Sequence, residues 1–313
     1  MPSRQAGPAS LSIADAPRGN WVERYAPAFA RPYLQLMRAD RPIGTWLLLW
    51  PCWWSAALAW IAAGRTRPDL WLLVLFAVGA AVMRGAGCTY NDIIDRDYDA
   101  QVARTRGRPI PSGQVSPFAA GVFMVALCLI GLGVLLQFNL FAIGLGVLSL
   151  AVVAFYPFMK RITHWPQSVL GLAFSWGALM GWAAIFGRLD WPALALYGAA
   201  VAWTMGYDTI YAHQDKEDDA IIGLKSTALR FGAYTTPWLA LFYALAALLL
   251  ALAGYGAGAG RPFFLGLVLA SLQLAWQTAT LDVDDPANCL KRFRSNRDFG
   301  ALVFAALLAD MVI

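Results

Sequence analysis

The chain has 313 residues, of which 59% are hydrophobic and only 14% charged, with a formal net charge of +5. Soluble domains carry about 25% charged residues, so a soluble globular protein is excluded. The mean hydropathy of +0.54 also excludes disorder, a coiled coil or a repeat solenoid, each of which needs a more polar surface. An all-α polytopic membrane protein remains.

The first 40 residues are polar, carry Arg4, Arg18, Arg24, Arg31 and Arg38, and lack the apolar core and small-residue cleavage site of a secretory signal. They read as a polar N-terminal tail, 1–40, ahead of a single membrane domain, 41–313. The Arg and Ser content of Met1 to Asn20 leaves an organellar presequence as the alternative.

A bilayer core needs about 20 mostly apolar residues per helix. Cutting the chain at its polar, Pro- and Gly-rich interruptions predicts nine spans, at 43–63, 69–90, 117–136, 140–157, 166–186, 191–212, 233–253, 262–281 and 298–313, the last of them short. Cys52, Cys88, Cys128 and Cys289 sit singly in or beside these runs with no CxxC spacing. They read as small apolar packing residues.

Nine spans place the connections alternately on two sides, and the basic residues divide unequally between them. Nineteen of the 24 Lys and Arg fall on the side of the N-terminal tail; only Arg65, Arg67, Arg188 and Arg261 fall on the other, and Arg84 lies inside the second span. By the positive-inside rule the tail and the three long polar loops face the cytoplasm, or the matrix in an organelle. The expected location is a bacterial inner membrane, with a mitochondrial inner membrane as the alternative. No basic face interleaved with aromatics suggests nucleic acid. Basic loops at a bilayer surface instead meet anionic lipid headgroups.

At the polar end of the second span the chain reads Asn91-Asp92-Ile93-Ile94-Asp95-Arg96-Asp97-Tyr98-Asp99, four carboxylates within eight residues. Helical residues four apart share a face, so Asn91, Asp95 and Asp99 form one line with Asp92 beside it. At the end of the sixth span, Asp208, Asp215 and Asp219 are spaced seven and four apart and are expected to share a face in the same way. Both groups close even-numbered spans and therefore lie on one membrane side, where the two lines are expected to face one another across a cavity.

Opposed carboxylates near lipid repel one another and are poorly solvated, so they persist best around a cation. Oxygen ligands without a Cys/His set select Mg²⁺, Mn²⁺ or Ca²⁺. Mg²⁺ takes one or two protein carboxylates and fills its octahedron with water and phosphate oxygens. Two separate groups therefore suggest Mg²⁺ ions bridging a diphosphate. Cations suited to phosphate lie near: Arg38 and Arg41 before the first span, Arg104, Arg106 and Arg108 after the first acidic group, and Lys160-Arg161 at the end of the fourth span. The polar segment from Asp282 to Arg297 reads either as a solvated basic loop or as part of a lid, and His213 as a helix-end polar residue.

The run from Asn91 to Asp99 resembles the NDxxDxxxD motif of the UbiA superfamily of intramembrane aromatic prenyltransferases. The run from Tyr207 to Ala212, continued by Asp215 to Asp219 and Lys225-Ser226-Thr227, resembles that superfamily's second motif. Gly87-Cys88, Arg104-Thr105, Arg108-Pro109, Ser112-Gly113, Asn288-Cys289-Leu290 and Ser295-Asn296-Arg297 are similar to the branch that prenylates 4-hydroxybenzoate on the way to ubiquinone. The resemblance runs from about Tyr33 onward.

This resemblance implies a bundle of nine transmembrane helices with a central cavity, cytoplasmic cap loops and a lateral opening to lipid. It also implies Mg²⁺-dependent transfer of a polyprenyl group from polyprenyl diphosphate to the carbon ortho to the hydroxyl of 4-hydroxybenzoate. Asn91, Asp95, Asp99, Asp215 and Asp219 would then hold the metal-bound diphosphate, with the four aspartates as metal ligands; because Lys216-Glu217 stand between the acids of the second motif, Asp218 is the alternative to Asp219. Arg161 would meet the aromatic carboxylate, Lys160 and Arg41 the phosphates, with Arg104 and Arg108 as further substrate contacts. Asp92 or Asp208 would accept the ring proton. Aromatic faces would steady the allylic cation, and the sequence does not select among its 14 Trp, 17 Phe and 11 Tyr. Two other readings are a superfamily member with a different aromatic acceptor, such as homogentisate or a chlorophyllide, and an ion-coupled transporter. The acids at helix ends, away from the midplane, weigh against a transporter.

Overall fold

A computed structural model describes residues 16–17, 19–102 and 104–312. Arg4 and Arg18 of the expected tail, most of the presequence alternative and the last residue of the ninth predicted span lie outside them. Every regular element among the described residues is helical: α1 (Trp21–Tyr25), α2 (Arg31–Leu36), α3 (Ile43–Ala62), α4 (Leu70–Ile94), α5 (Arg96–Asp99), α6 (Pro117–Leu135), α7 (Leu140–Phe155), α8 (Met159–Ile162), α9 (Pro166–Phe174), α10 (Gly177–Phe186), α11 (Trp191–Ala212), α12 (Lys216–Ile222), α13 (Thr227–Phe231), α14 (Thr235–Gly256), α15 (Arg261–Ala279) and α16 (Pro286–Val312).

Among the described residues, seven helical stretches are long and apolar enough to cross a bilayer. The two predicted spans that fall outside that set are α11 and α16. Both are long enough, at 22 and 27 residues, but each carries polar side chains that neighbouring helices satisfy. The ninth predicted span is corrected most: α16 is not short, because it begins at Pro286 and not near 298. Its polar first third holds Arg292, Phe293 and Asn296 in buried positions, so the stretch read as a loop is helix paired inside the protein. The second span likewise runs on to Ile94, and the fifth is divided at Ser175–Trp176 into α9 and α10.

The chain forms two compact units, Met1–Pro42 with Arg84–Cys128, and Ile43–Met83 with Leu129–Ile313. In the first, Leu36, Ile110, Val115 and Ala120 are buried together, with Tyr33, Ile93 and Phe123 packed on them. Tyr33 meets Phe123 edge to face at 5.2 Å between centroids.

The second unit is built around α3, α10, α11, α14, α15 and α16. Along α3 and α10 the backbones approach so closely that a Cβ on Gly181 would lie 2.5 Å from the Ala56 nitrogen. Ser55 exploits that approach: its Oγ donates to the Ala178 carbonyl (2.5 Å) and accepts from the Trp182 N–H (2.8 Å). Close backbone approach through small residues, joined by a hydroxyl, is how helices associate where lipid removes the hydrophobic driving force. Three of the four free cysteines, Cys52, Cys88 and Cys289, are buried as packing residues, while Cys128 is on an exposed face.

Candidate active site

In the first unit the acidic motif closes α4. The helix breaks at Asp95, whose backbone (φ −97°, ψ 4°) leaves helical geometry before α5 begins. Hydrogen bonds carry the chain across the break: the Asp95 N–H donates to the Asn91 carbonyl (2.9 Å) and the Asp99 N–H to the Asp95 carbonyl (2.8 Å). The expected line of Asn91, Asp95 and Asp99 thus persists with a bend in it. Asp92 and Asp95 are fully buried, Asp99 is 7% exposed, and Asn91 is half-buried.

The irregular segment after α5 folds back onto these acids. Thr105 Oγ1 donates to the Asp99 carbonyl at 2.8 Å. Arg108 Nη1 donates to Asp99 Oδ2 at 2.8 Å and to Asp92 Oδ1 at 3.2 Å. From the other flank Arg38 Nη2 donates to the same Asp92 Oδ1 at 2.6 Å. Arg104 and Arg108 are half-buried, as is Arg41, whose Nη1 donates to buried Asp40 at 2.8 Å.

Arg38, read from sequence only as a cation before the first span, is the residue most undervalued there. Its φ of 62° is uncommon for a residue with a side chain. Its Nη1 donates to the carbonyls of Gln35 (3.0 Å) and Leu36 (3.3 Å), tying down the turn that follows α2. Burial opposes its charge most strongly of any one influence, but the Asp92 carboxylate, Cys88 and Asp40 together more than offset it and raise the guanidinium pKa above its ordinary value. The Arg-x-Asp-Arg run ahead of Pro42 was the available clue. Burial drives the Asp40 carboxyl upward, against the pull of Arg41 and Arg38.

In the second unit Asp208 lies in the last turn of α11, half-buried. α11 ends at Ala212, a single 3₁₀ turn covers His213–Asp215, and α12 starts at Lys216. Asp208 and Asp219 are therefore on different helices, and the single shared face expected for Asp208, Asp215 and Asp219 is replaced by a joint at Asp215 (φ −115°, ψ 5°). His213 is buried with Nε2 on Thr235 Oγ1 at 2.9 Å. Burial, helped by Lys216, pushes its pKa down to about 4.

Lys160 and Arg161 occupy α8, and the segment after α12 is pinned to them. The Lys225 N–H donates to the Lys160 carbonyl (2.8 Å) and Lys225 Nζ to the Ile162 carbonyl (3.0 Å). The hydroxyls of Thr209 and Thr227 meet at 2.7 Å, and the Thr227 N–H donates to Gln167 Oε1 at 3.1 Å. Both basic residues thus belong to the framework that carries the second acidic motif. Arg161 lies 5.7 Å from the Phe158 ring centroid.

From α11 to α16 runs an aromatic column that sequence did not single out. Trp203 packs on Trp54 (5.0 Å), Tyr207 (4.9 Å) and Phe299 (5.3 Å), and Tyr207 and Tyr211 both meet Phe293 (5.9 and 4.5 Å). Asn296, from the Ser295-Asn296-Arg297 run, fixes it by accepting from Trp203 Nε1 at 2.8 Å. The helical spacing of Trp203, Tyr207 and Tyr211 on α11 is visible in the sequence once α11 is known to be central.

Asn91, Asp95 and Asp99 offer carboxylate and amide oxygens, the donor chemistry that suits a hard divalent cation. Among the described residues no three His, Cys, Asp or Glu side chains gather at metal-holding distance. Asp92 Oδ2 is buried without a hydrogen-bond partner among the described residues, so this carboxylate has acceptor capacity to spare.

The model of the UbiA prenyltransferase family matches residues 48–307. The chain is 49% identical over 303 residues to the mitochondrial 4-hydroxybenzoate polyprenyltransferase of Bos taurus, covering 96% of this chain and 79% of the relative. It is 50% identical to the protein of that name from Homo sapiens, covering 90% and 76%. Among solved structures it superposes on the apo UbiA homolog from Aeropyrum pernix K1 with a TM-score of 0.71 at 24% identity, covering 84% of this chain and 98% of that one. The UbiA homolog from Archaeoglobus fulgidus bound to GPP and Mg²⁺ gives 0.61 at 19%, covering 90% and 100%. These two show a common fold. The relatives bear mitochondrial names, matching the organellar alternative and not the bacterial membrane expected first. With the family model spanning most of the chain and relatives at half identity, the chain belongs to the UbiA prenyltransferase family and is a membrane-embedded prenyl-transferring enzyme.

Proposed function

We propose that the chain transfers a polyprenyl group from polyprenyl diphosphate to the carbon ortho to the hydroxyl, C3, of 4-hydroxybenzoate, releasing diphosphate, as a step of ubiquinone biosynthesis. What carries the reading is the agreement of half-identical relatives of that name across more than nine-tenths of the chain with both acidic motifs at helix joints. In the reaction the prenyl C1–O bond breaks, a bond from C1 to the ring carbon forms, and the ring proton leaves to restore aromaticity.

Asn91, Asp95, Asp99, Asp215 and Asp219 hold the metal-bound diphosphate. When bound, Mg²⁺ supplies Lewis-acid neutralisation of the leaving group. Arg41, Arg104, Arg108 and Lys160 add positioned positive charge around the phosphates, and Arg161 receives the acceptor's carboxylate. Asp92 or Asp208 takes the ring proton. Aromatic faces such as those of the Trp203, Tyr207 and Phe293 column favour a cation. The active-site loops face the cytoplasm of a bacterium or the matrix of a mitochondrion, in keeping with the basic bias of that side.

The test is prenyl transfer by the purified protein in detergent, with labelled 4-hydroxybenzoate and a polyprenyl diphosphate, in Mg²⁺ or in EDTA. A prenylated product that requires Mg²⁺ is expected. A folded protein that prenylates another aromatic acceptor, and not this one, would overturn the substrate assignment.

A further inference from the structure

Asp92 sits between two arginines that use it differently. Arg38 is spent on the protein: Nη1 is held by the Gln35 and Leu36 carbonyls and Nη2 by Asp92 Oδ1 at 2.6 Å. Arg108 is spent on one side only. Its Nη1 donates to both Asp92 Oδ1 and Asp99 Oδ2, while its Nη2 and Nε make no hydrogen bond among the described residues. A guanidinium fixed at one nitrogen keeps its remaining N–H groups as a preset fork, the geometry that suits phosphate oxygens.

The two anchors of Arg108 are not equivalent. Asp99 is 7% exposed and is a proposed metal ligand, so its oxygens have a competing use; Asp92 is fully buried and is itself locked by Arg38. Arg38 is in turn set by the turn it ties down, in a backbone conformation that only surrounding structure sustains. The order of support runs from that turn to Arg38, then to Asp92, then to Arg108.

We propose that Asp92 is a positioning residue: it fixes Arg108 through Nη1 so that Nη2 and Nε receive an oxygen of the substrate diphosphate, and it acts on the reaction only through that arginine. The proposal rests on the reading above in taking a diphosphate as the ligand. It gives Asp92 a role other than ring-proton acceptor and leaves that task to Asp208.

Binding of inorganic diphosphate, measured calorimetrically on the purified full chain with Mg²⁺ and no aromatic acceptor, separates the roles. Asp92→Asn is expected to weaken binding about ten-fold or more, the scale of a lost charge-assisted hydrogen bond. Arg108→Gln should weaken it at least as far, and the double variant no further than Arg108→Gln alone, because residues acting as a unit are not additive. In turnover assays Asp92→Asn should raise KM for the prenyl diphosphate and leave KM for the acceptor in place. Full affinity in Asp92→Asn, an additive double variant, or a fall in kcat with affinity intact would each overturn the proposal. A wild type that binds diphosphate but does not prenylate 4-hydroxybenzoate would overturn the proposed substrate and leave this test standing.

Discussion

Asp95 and Asp215 hold the same backbone position in two different motifs: each stands between the end of a long helix and the start of a short one, with φ/ψ of −97°/4° and −115°/5°. That region is sparsely populated and recurs at active sites. A break there ends the long helix where its carboxylates gather, and charged side chains are costly in lipid.

The first prediction concerns those joints. Asp95→Asn and Asp215→Asn preserve side-chain volume and remove the charge, so each should cut turnover more than a hundred-fold at saturating Mg²⁺. The midpoint of thermal unfolding should stay within a few degrees of wild type. Near-normal turnover in either variant would remove that residue from the metal set.

Arg161 sits on α8, whose neighbouring backbone is pinned by Lys225, so its guanidinium starts from a fixed base. Arg161→Ala should raise KM for 4-hydroxybenzoate about ten-fold or more, the scale of a lost charged hydrogen bond, and change KM for the prenyl diphosphate much less. The opposite pattern would assign Arg161 to the phosphates.

Span positions were legible because apolar runs between polar breaks are set by bilayer thickness; α3 (Ile43–Ala62) and α6 (Pro117–Leu135) each end within one residue of the expected 43–63 and 117–136. The ninth span was misjudged for a physical reason. Arg292 packs its guanidinium 4.1 Å from the Trp276 ring centroid, and Asn296 bonds to Trp203 and Gln277, and a composition count charges such residues to a loop because it does not see their partners. The acids of both motifs were legible from spacing, but the joint at Asp215 was not, since a spacing of seven and four fits an unbroken helix equally well. Nor did the sequence reveal Arg38, whose importance lies in which carboxylate it meets and in a left-handed turn.

The buried amides around Asn296 make a third prediction. Asn296 accepts from Trp203 and donates to Gln277 Oε1 (3.1 Å), which also accepts from the Tyr243 hydroxyl (3.1 Å). Asn296→Leu would leave the Trp203 N–H and part of Gln277 unpaired in a buried setting, at a cost of about 1–3 kcal/mol. A lowered thermal midpoint is expected, together with weaker turnover, since Trp203 is the centre of the aromatic column. An unchanged midpoint would show that the network is dispensable for the fold.

Gly300 supports the tightest crossing of α16 over α3. Its carbonyl accepts from Trp54 Nε1 at 2.9 Å, and a Cβ at that position would collide with the indole of Trp50. The ring has little freedom to yield, because it stacks on Trp46 (5.2 Å) and meets Trp53 (5.5 Å) and Phe304 (6.0 Å). Gly300→Ala should therefore destabilise the protein by about 1–3 kcal/mol, as overpacking of a closed site does. If the collision with Trp50 is the cause, Trp50→Leu in the Gly300→Ala background should recover part of the lost thermal midpoint, although Trp50→Leu alone lowers it by opening a cavity. Strictly additive losses in the double variant would show instead that Gly300 is needed for its backbone, through the bond to Trp54.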